Sequence, residues 1–366
     1  MRVLLRHRRI VLALVAAAVG WSTPVQPPDL ARFADLGQQV LTGQLARVYA
    51  TPWNQAGPVQ LVLSRLLLLG GRDGTPAQWL VALVDAGLVG LAMGLARSLR
   101  AELAAGGLVV LWCALQQPWN GHPAELLIGG LGLAAVGWHR RGQTVPAAVA
   151  LGLASAIAPW AVLIVPALLA VPGLRRALVT GALALALGIG CYLPFVATGH
   201  FELFAHRWPV AAASALQLFE PGVGHAGWPV RLAQGVLAAG GCAAVAWRCR
   251  GRAAAGPLAL ATAGLLRLAT DPVFFSYYWL PVAVASVFAV ARLSWPDRMS
   301  ELVALVGLGL LPWALAGIGG QPLSVVLPGE VLVLVSLLVL ARGTGPAWPR
   351  IERWTSSARP TSASPT

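Results

Sequence analysis

The sequence contains no lysine; all 26 basic residues are arginine, which reads as composition bias rather than function. Charge of any kind is scarce, at 11% of residues, against 57% hydrophobic residues and a mean hydropathy of +0.72. A soluble chain of 366 residues could not hide that much apolar surface. Motifs of soluble chemistry are missing too: there is no P-loop, no GxSxG, no HExxH and no Asp-x-Asp nucleotide-sugar motif. The four cysteines, Cys113, Cys191, Cys242 and Cys249, lie in or beside apolar segments at spacings that match no zinc or CxxC pattern. They read as small buried residues, and a disulfide framework is not supported. No metal or other cofactor is expected.

What the chain does hold is a succession of apolar runs. They lie at roughly 10–24, 57–71, 78–96, 103–118, 124–139, 145–158, 160–172, 177–197, 231–249, 254–270, 279–292, 300–318 and 325–342. The expected fold is therefore all-α, a polytopic integral membrane protein with about 12 transmembrane helices in one domain over 1–342. The formal charge of +13 does not point to nucleic acid, because the arginines sit in short clusters between the runs. Arg6, Arg8 and Arg9, Arg97 and Arg100, Arg140 and Arg141, Arg175 and Arg176, Arg248 to Arg252, and Arg292 to Arg298 mark one face, taken as cytoplasmic together with both termini. The expected location is the plasma membrane. Both termini on one side require an even number of crossings, and the short run 57–71, which carries Arg65, is the candidate for a re-entrant or surface-lying segment. Runs 145–158 and 160–172 are also short and are split at Pro159, a break that membranes tolerate where protein encloses a cavity.

Residues 1–20 imitate a signal peptide, with an arginine-rich start and then an apolar stretch. The continuation of that stretch to Trp21 favours an uncleaved first helix. The tail 343–366, rich in Pro, Ser, Thr and Arg, reads as disordered and cytoplasmic.

The opposite face receives two long loops, 25–56 and 198–230. In the first, Leu30, Phe33, Leu36/Gly37, Val40 and Leu41 recur at helical spacing, the pattern of a helix lying in the interface plane. Asp29 falls at its N-cap or first turn. Leu41-Thr42-Gly43, Tyr49 and Pro52-Trp53-Asn54-Gln55-Ala56-Gly57-Pro58 follow. The second loop carries His200, Glu202, His206, Arg207, Trp208, Glu220, His225, Trp228 and then Arg231, a polar and tryptophan-rich set suited to a membrane-surface cleft. The three histidines have irregular spacing and do not read as a metal site. Arg267 and Asp271 are spaced i,i+4, so they can face one another as either a functional or a structural pair. Asp85 lies within an apolar run, where an interhelical hydrogen bond is the plain reading. Glu125 is similar, or sits in the cleft with His122. Tyr277, Tyr278 and Trp279 fit an aromatic belt or a sugar platform.

The first loop resembles the polyprenyl-phosphate-sugar-dependent glycosyltransferases of the multi-spanning C superfamily (GT-C), and among them most nearly the family 87 mannosyltransferases of actinobacteria. The pieces that carry the resemblance are Asp29-Leu30-Ala31-Arg32-Phe33, Gly43, Tyr49 and Pro52/Pro58, then Gly121-His122-Pro123-Ala124-Glu125, Ala156-Ile157-Ala158-Pro159 and Phe275-Ser276-Tyr277-Tyr278-Trp279-Leu280-Pro281. Together they span roughly 25–290. Ala158 stands where the family often has lysine, and Pro52-Trp53-Asn54 replaces a Tyr-Pro-Pro turn.

The resemblance implies a transferase that moves a hexose, mannose first, from a polyprenyl-phosphate donor to a lipid or cell-envelope glycan acceptor, with inversion. Asp29 would be the general base and Asp35 its alternative. His206, Arg207, Arg231 and His122 would contact phosphate, with Glu125, Arg267, Asp271 and Tyr277 around the substrate. A carboxylate suits such a step, since it can take the proton of the attacking hydroxyl while a phosphate leaves as a stabilised anion. Three alternatives stand beside this reading: Asp29 as a helix cap only, a lipid or small-solute transporter using Asp85, Arg267 and Asp271, and a catalytically inactive relative. A transporter of the inverted-repeat kind would show two related halves, and the sequence shows no internal repeat.

Overall fold

The computed structural model describes residues 7–22, 29–69, 71, 75–115, 125–212, 214–273, 275–293, 298–317 and 323–343. They are mostly helical. We number the helices that open the chain as α1 Arg8–Ser22, α2 Leu30–Leu41, α3 Pro58–Leu67, α4 Gln78–Leu95, α5 Leu99–Ala114, α6 Glu125–Arg140, α7 Thr144–Ile157 and α8 Leu174–Gly190. They are followed by α9 Trp228–Arg248, α10 Ala255–Ala269, α11 Trp279–Arg292 and, last, α12 Leu323–Gly343. Each apolar run of the sequence corresponds to a helical element. The described residues depart from all-α at one place, a two-residue antiparallel ladder that pairs Trp208 with Ala226 and Pro209 with His225 inside the second long loop.

Local chemistry sets the boundaries. Gly43, at φ 76°, turns the chain just beyond α2 in the left-handed conformation that a Cβ disfavours. Pro58 opens α3, where its missing N–H costs nothing. Ala158 is extended because Pro159 follows it. Pro159–Ala170 then forms a 3-10 helix with Pro166 inside it, so the expected break at Pro159 is present. The Met299–Ala316 segment includes a π-helical stretch, Val303–Leu310.

Among the described residues, three elements are long and apolar enough to cross a membrane: α4, α9 and the Met299–Ala316 segment. At 1.5 Å per residue the 18 residues of α4 reach about 27 Å, close to a bilayer's hydrocarbon thickness. Other apolar segments among the described residues, such as Pro58–Leu67 and, within α12, Val326–Ala341, are shorter, so the expectation of about twelve crossings is matched in helical class but not in its count. Helix α3, with 10 residues, reaches about 15 Å and packs along α2. The outward faces are apolar. Leu232, Val236 and Leu237 on α9 and Leu178, Leu183 and Ile189 on α8 are all exposed, a surface that water penalises and lipid accepts.

Helix α11 sits at the centre, packed against α4, α5, α6 and α10, with Trp279 and most of its other side chains buried. Small residues permit close helix approach. Gly20 of α1 faces Asp85 so closely that a Cβ would overlap its carboxylate, and Cys113 of α5 lies within electrostatic reach of Asp85. Asp85 thus ties α1, α4 and α5 together. All four cysteines are free, three of them buried and Cys191 half-buried.

The helix ends define two faces. One carries the arginine clusters that lie between the apolar runs: Arg8 and Arg9 both bind Glu102 there, the former at 2.6 Å, and Arg100 pairs with Glu301 at 3.7 Å. The other, the loop face, carries both long loops. Helix α12 continues through Gly343, which the sequence assigned to the tail. Residues 344–366, the rest of that expected tail, lie outside the described residues.

Candidate functional site

Asp29 occupies the N-cap position of α2, with φ −97° and ψ −11°. Its carbonyl accepts the Phe33 N–H at 3.0 Å, while its side chain makes no capping hydrogen bond. Asp29 is half-buried, whereas Asp35 on the same helix is exposed. The stripe on α2 buries Leu30, Phe33, Ala34 and Gly37. Leu41 departs from it and is 56% exposed, because it closes the helix. Gly37 lets α3 approach so closely that a Cβ would overlap the Leu61 carbonyl.

Behind Asp29, Phe33, Val48, Tyr49, Ala56, Leu61, Phe195 and Leu203 form a core separate from the main one. The turn at 49–57 is organised by its own polar groups. Tyr49 Oη donates to the Ala56 carbonyl at 2.8 Å. Asn54, fully buried, donates from Nδ2 to the Val48 carbonyl at 2.9 Å and accepts the Ala56 N–H at 3.2 Å. Burial first, and Tyr192 second, push the Tyr49 phenol well above its ordinary range, so it serves as a neutral donor. Trp53 stacks on Phe33 with centroids 5.7 Å apart, and the Arg32 guanidinium lies 4.0 Å from the Trp53 ring centroid.

This turn joins two distant segments. The Gly57 N–H donates to the Ile157 carbonyl at 2.8 Å, and a Cβ on Gly57 would collide with the Ala156 carbonyl. The Pro52–Pro58 and Ala156–Pro159 pieces named in the sequence are therefore neighbours. The second loop docks on the same turn. The Glu202 N–H donates to the Tyr49 carbonyl at 2.8 Å, and Gln55 Nε2 donates to the Leu203 carbonyl at 3.0 Å. From there a train of aromatic rings leads along the loop face. It runs from Tyr49 to Phe201, Phe204, Trp228 and Trp208, with successive centroids 5.0–6.0 Å apart.

The train ends at a buried ionic cluster. The Arg231 guanidinium lies 4.4 Å from the Trp208 centroid, and its Nη1 donates to Asp271 Oδ2 at 2.7 Å. Gln234 Nε2 donates to the same oxygen at 3.3 Å and to the Arg267 carbonyl at 2.6 Å. The expected i,i+4 pair of Arg267 and Asp271 is present but looser, at 3.9 Å. Arg267 packs against Trp160 and Tyr278, with centroid distances of 4.5 and 4.4 Å, and lies within electrostatic reach of Glu125. Glu125 is buried, and its Oε2 has no hydrogen-bond partner among the described residues. Tyr277 stacks on Phe275 at 5.4 Å and meets Tyr278 edge-on. Two cations and two acids make this cluster formally neutral.

That balance bears on the phosphate candidates. Arg231 and Arg267 are already engaged by Asp271. Burial, and then the Arg231 charge, lower the His206 pKa, so the ring stays neutral at pH 7 and offers hydrogen bonds rather than charge. Arg207 is exposed on the same loop. His122, with its whole turn at 119–122, lies outside the described residues. No group of three His, Cys, Asp or Glu side chains among the described residues is arranged to hold a metal.

Sequence reasoning did not find Gln234 or Trp160. Gln234 did carry a signal, as a polar residue three positions after Arg231 on one helix face. A scan of the sequence against protein-family models gives no match, and a search of curated proteins finds no significant relative.

Proposed function

We propose that this chain is a membrane hexosyltransferase of GT-C type, with about twelve crossings and its loop face turned outward from the plasma membrane, both termini being cytoplasmic. It moves a hexose, mannose in the first instance, from a polyprenyl-phosphate donor to a lipid or envelope-glycan acceptor with inversion. Asp29 takes the proton from the acceptor hydroxyl as that oxygen attacks the anomeric carbon. The bond from the anomeric carbon to the donor phosphate breaks, and the lipid phosphate leaves as an anion without needing an acid. Arg207 faces that charge, and His206 donates a hydrogen bond.

The observation that supports this reading is the docking of the two long loops on one turn, through Tyr49–Glu202 and Gln55–Leu203, on the face that also carries Asp29, Arg207 and the Arg231–Asp271 cluster. A transferase needs one such assembled surface. Membranes containing the protein should transfer labelled mannose from polyprenyl-phosphate mannose to envelope lipids. If they incorporate no label from any polyprenyl-phosphate hexose, the transferase reading fails.

One observation favours transport instead: the buried Arg267, Asp271 and Glu125 lie at the ends of apolar helices, as ionisable groups of a translocation path do. Under that reading, solute or lipid flux would depend on Glu125 and Asp271 and be indifferent to Asp29→Asn.

A further inference from the structure

We propose that Glu330 is a proton-binding site in the interior of the membrane: its carboxyl group takes up and releases a proton at mid-depth, where α12 packs on the Met299–Ala316 segment. Glu330 is 4% exposed and belongs to the buried stripe of α12, with Val326, Val333, Leu337, Leu340 and Ala341. These positions recur at three- and four-residue intervals, so one helix face carries them all, and Glu330 is the polar member among apolar ones. The other face of α12 exposes Leu332, Val335 and Val339, an apolar surface suited to lipid. Depth follows from the far end of the helix. The Ala341 carbonyl accepts from Arg252 Nη1 at 2.5 Å, which holds that turn at the level of the arginine face. Glu330 lies eleven residues earlier, about 16 Å inward, which is halfway through a hydrocarbon core of about 30 Å.

Among the described residues the Glu330 side chain makes no hydrogen bond and no ion pair. Helix α12 packs against Val303–Leu310, Leu311–Gly317, α10 and α9. The first two carry no titratable side chain. Helix α10 carries Arg267, and α9 carries Arg231, Cys242 and Arg248; none of these acts on the Glu330 carboxyl group. Arg231 and Arg267 are held by Asp271 at the loop face, and Arg248 closes α9 at the other. On α12 itself, Arg342 is twelve residues further along. An ionised carboxylate with neither countercharge nor donor is costly in hydrocarbon, and a bound proton removes the charge. The backbone around the group is irregular. Pro328 lies inside α12, two residues before Glu330, and the facing segment is π-helical over Val303–Leu310. The two run antiparallel, for Gly329 meets Leu315 and Gly307 meets Ser336, each so closely that a Cβ would overlap. Proline and π-turns both interrupt the regular ladder of helical hydrogen bonds, so this seam is where α12 can shift and admit a proton. The site stands independently of the transferase reading.

The test is modification of the full-length protein in liposomes by dicyclohexylcarbodiimide, an apolar reagent for protonated carboxyl groups. The acid gives its proton to one carbodiimide nitrogen, and its oxygen bonds to the central carbon. Acyl transfer to nitrogen then leaves a stable N-acylurea that retains every atom. Peptide mass spectrometry should find the adduct on Glu330, with labelling roughly tenfold lower at pH 9 than at pH 6 as the group gives up its proton. Glu330→Gln keeps the shape, removes the acid and should lose the adduct. Glu220→Gln, which removes an exposed acid of the loop face, should keep it. A water-soluble carbodiimide should label Glu220 and spare Glu330. Infrared spectroscopy supplies a reagent-free readout: the carbonyl band of a protonated carboxylic acid should be present at pH 6, lost at pH 9 and missing from Glu330→Gln. If that variant fails to fold, the wild-type comparison between the two pH values carries the test. No adduct on Glu330, labelling and a carbonyl band unchanged between pH 6 and pH 9, or equal labelling by the water-soluble reagent would each overturn the site. The first would mean an ionised or sealed group, the second a proton that never leaves, and the third an aqueous position.

Discussion

Arg231 and Asp271, 40 residues apart in sequence, close to 2.7 Å at the loop face. The contact fastens the first turn of α9 to the residue two positions beyond α10. Asp271 has no exposed side-chain surface and Arg231 only 12%. In such a site the value of the pair lies less in its attraction than in the damage done when one partner is lost, because the survivor is left charged in a dry place.

Asp271→Asn is therefore expected to destabilise the protein by about 3 kcal/mol, since it strands both Arg231 and Arg267. The double variant Arg231→Gln/Asp271→Asn should recover part of that loss. Thermal unfolding of the purified variants measures both. A double variant no more stable than Asp271→Asn alone would show that the pair is not coupled.

The docked turn gives a steric prediction. Gly57→Ala puts a Cβ into the Ala156 carbonyl, backbone that has no rotamer with which to yield. A cost of about 1–3 kcal/mol is expected, with detachment of the 49–57 turn from the Ala156–Pro159 segment. Limited proteolysis within the first loop should accelerate. Gly43→Ala meets open space but keeps a left-handed φ of 76°, so its cost should be smaller, about 1 kcal/mol of backbone strain.

Tyr49→Phe removes only the hydroxyl that reaches the Ala56 carbonyl at 2.8 Å. The expected loss is about 1 kcal/mol, the net worth of one hydrogen bond. The ring contacts with Phe195 and Phe201 would stay, so the aromatic core should persist in near-ultraviolet circular dichroism.

His206 makes stability depend on pH. Burial and Arg231 hold its folded pKa below the ordinary 6.5. In the window below 6.5 the unfolded chain takes up the proton first, so stability falls as pH falls through that window. His206→Asn should flatten this part of the stability–pH curve, and a wild-type curve flat between pH 7 and pH 5 would contradict the assignment.

Much of this fold is written in local sequence. The apolar runs became helices because a helix pairs its own backbone polar groups within an apolar stretch, and Pro159 broke the chain where a pre-proline residue must be extended. The α2 stripe was legible from Leu30, Phe33 and Gly37, and failed at Leu41 because the last residue of a helix has no next turn to cover it. The site was less legible. Arg267 and Asp271 announced themselves through i,i+4 spacing, yet the tighter partner of Asp271 is Arg231, on another helix. Contacts such as Gln55 to Leu203, 148 residues apart, and the packing of Arg267 against Trp160 depend on tertiary approach, which no periodicity encodes. The two-residue ladder at Trp208–Ala226 is too short to leave a strand signal.

The most direct test of the account is the single-turnover rate of mannose transfer from polyprenyl-phosphate mannose by purified protein, wild type against Asp29→Asn. Matched thermal unfolding curves would establish that the variant is folded. Loss of a general base predicts a rate lower by about 10²–10⁴-fold with folding intact. Wild-type rates in the folded Asp29→Asn protein would contradict the account.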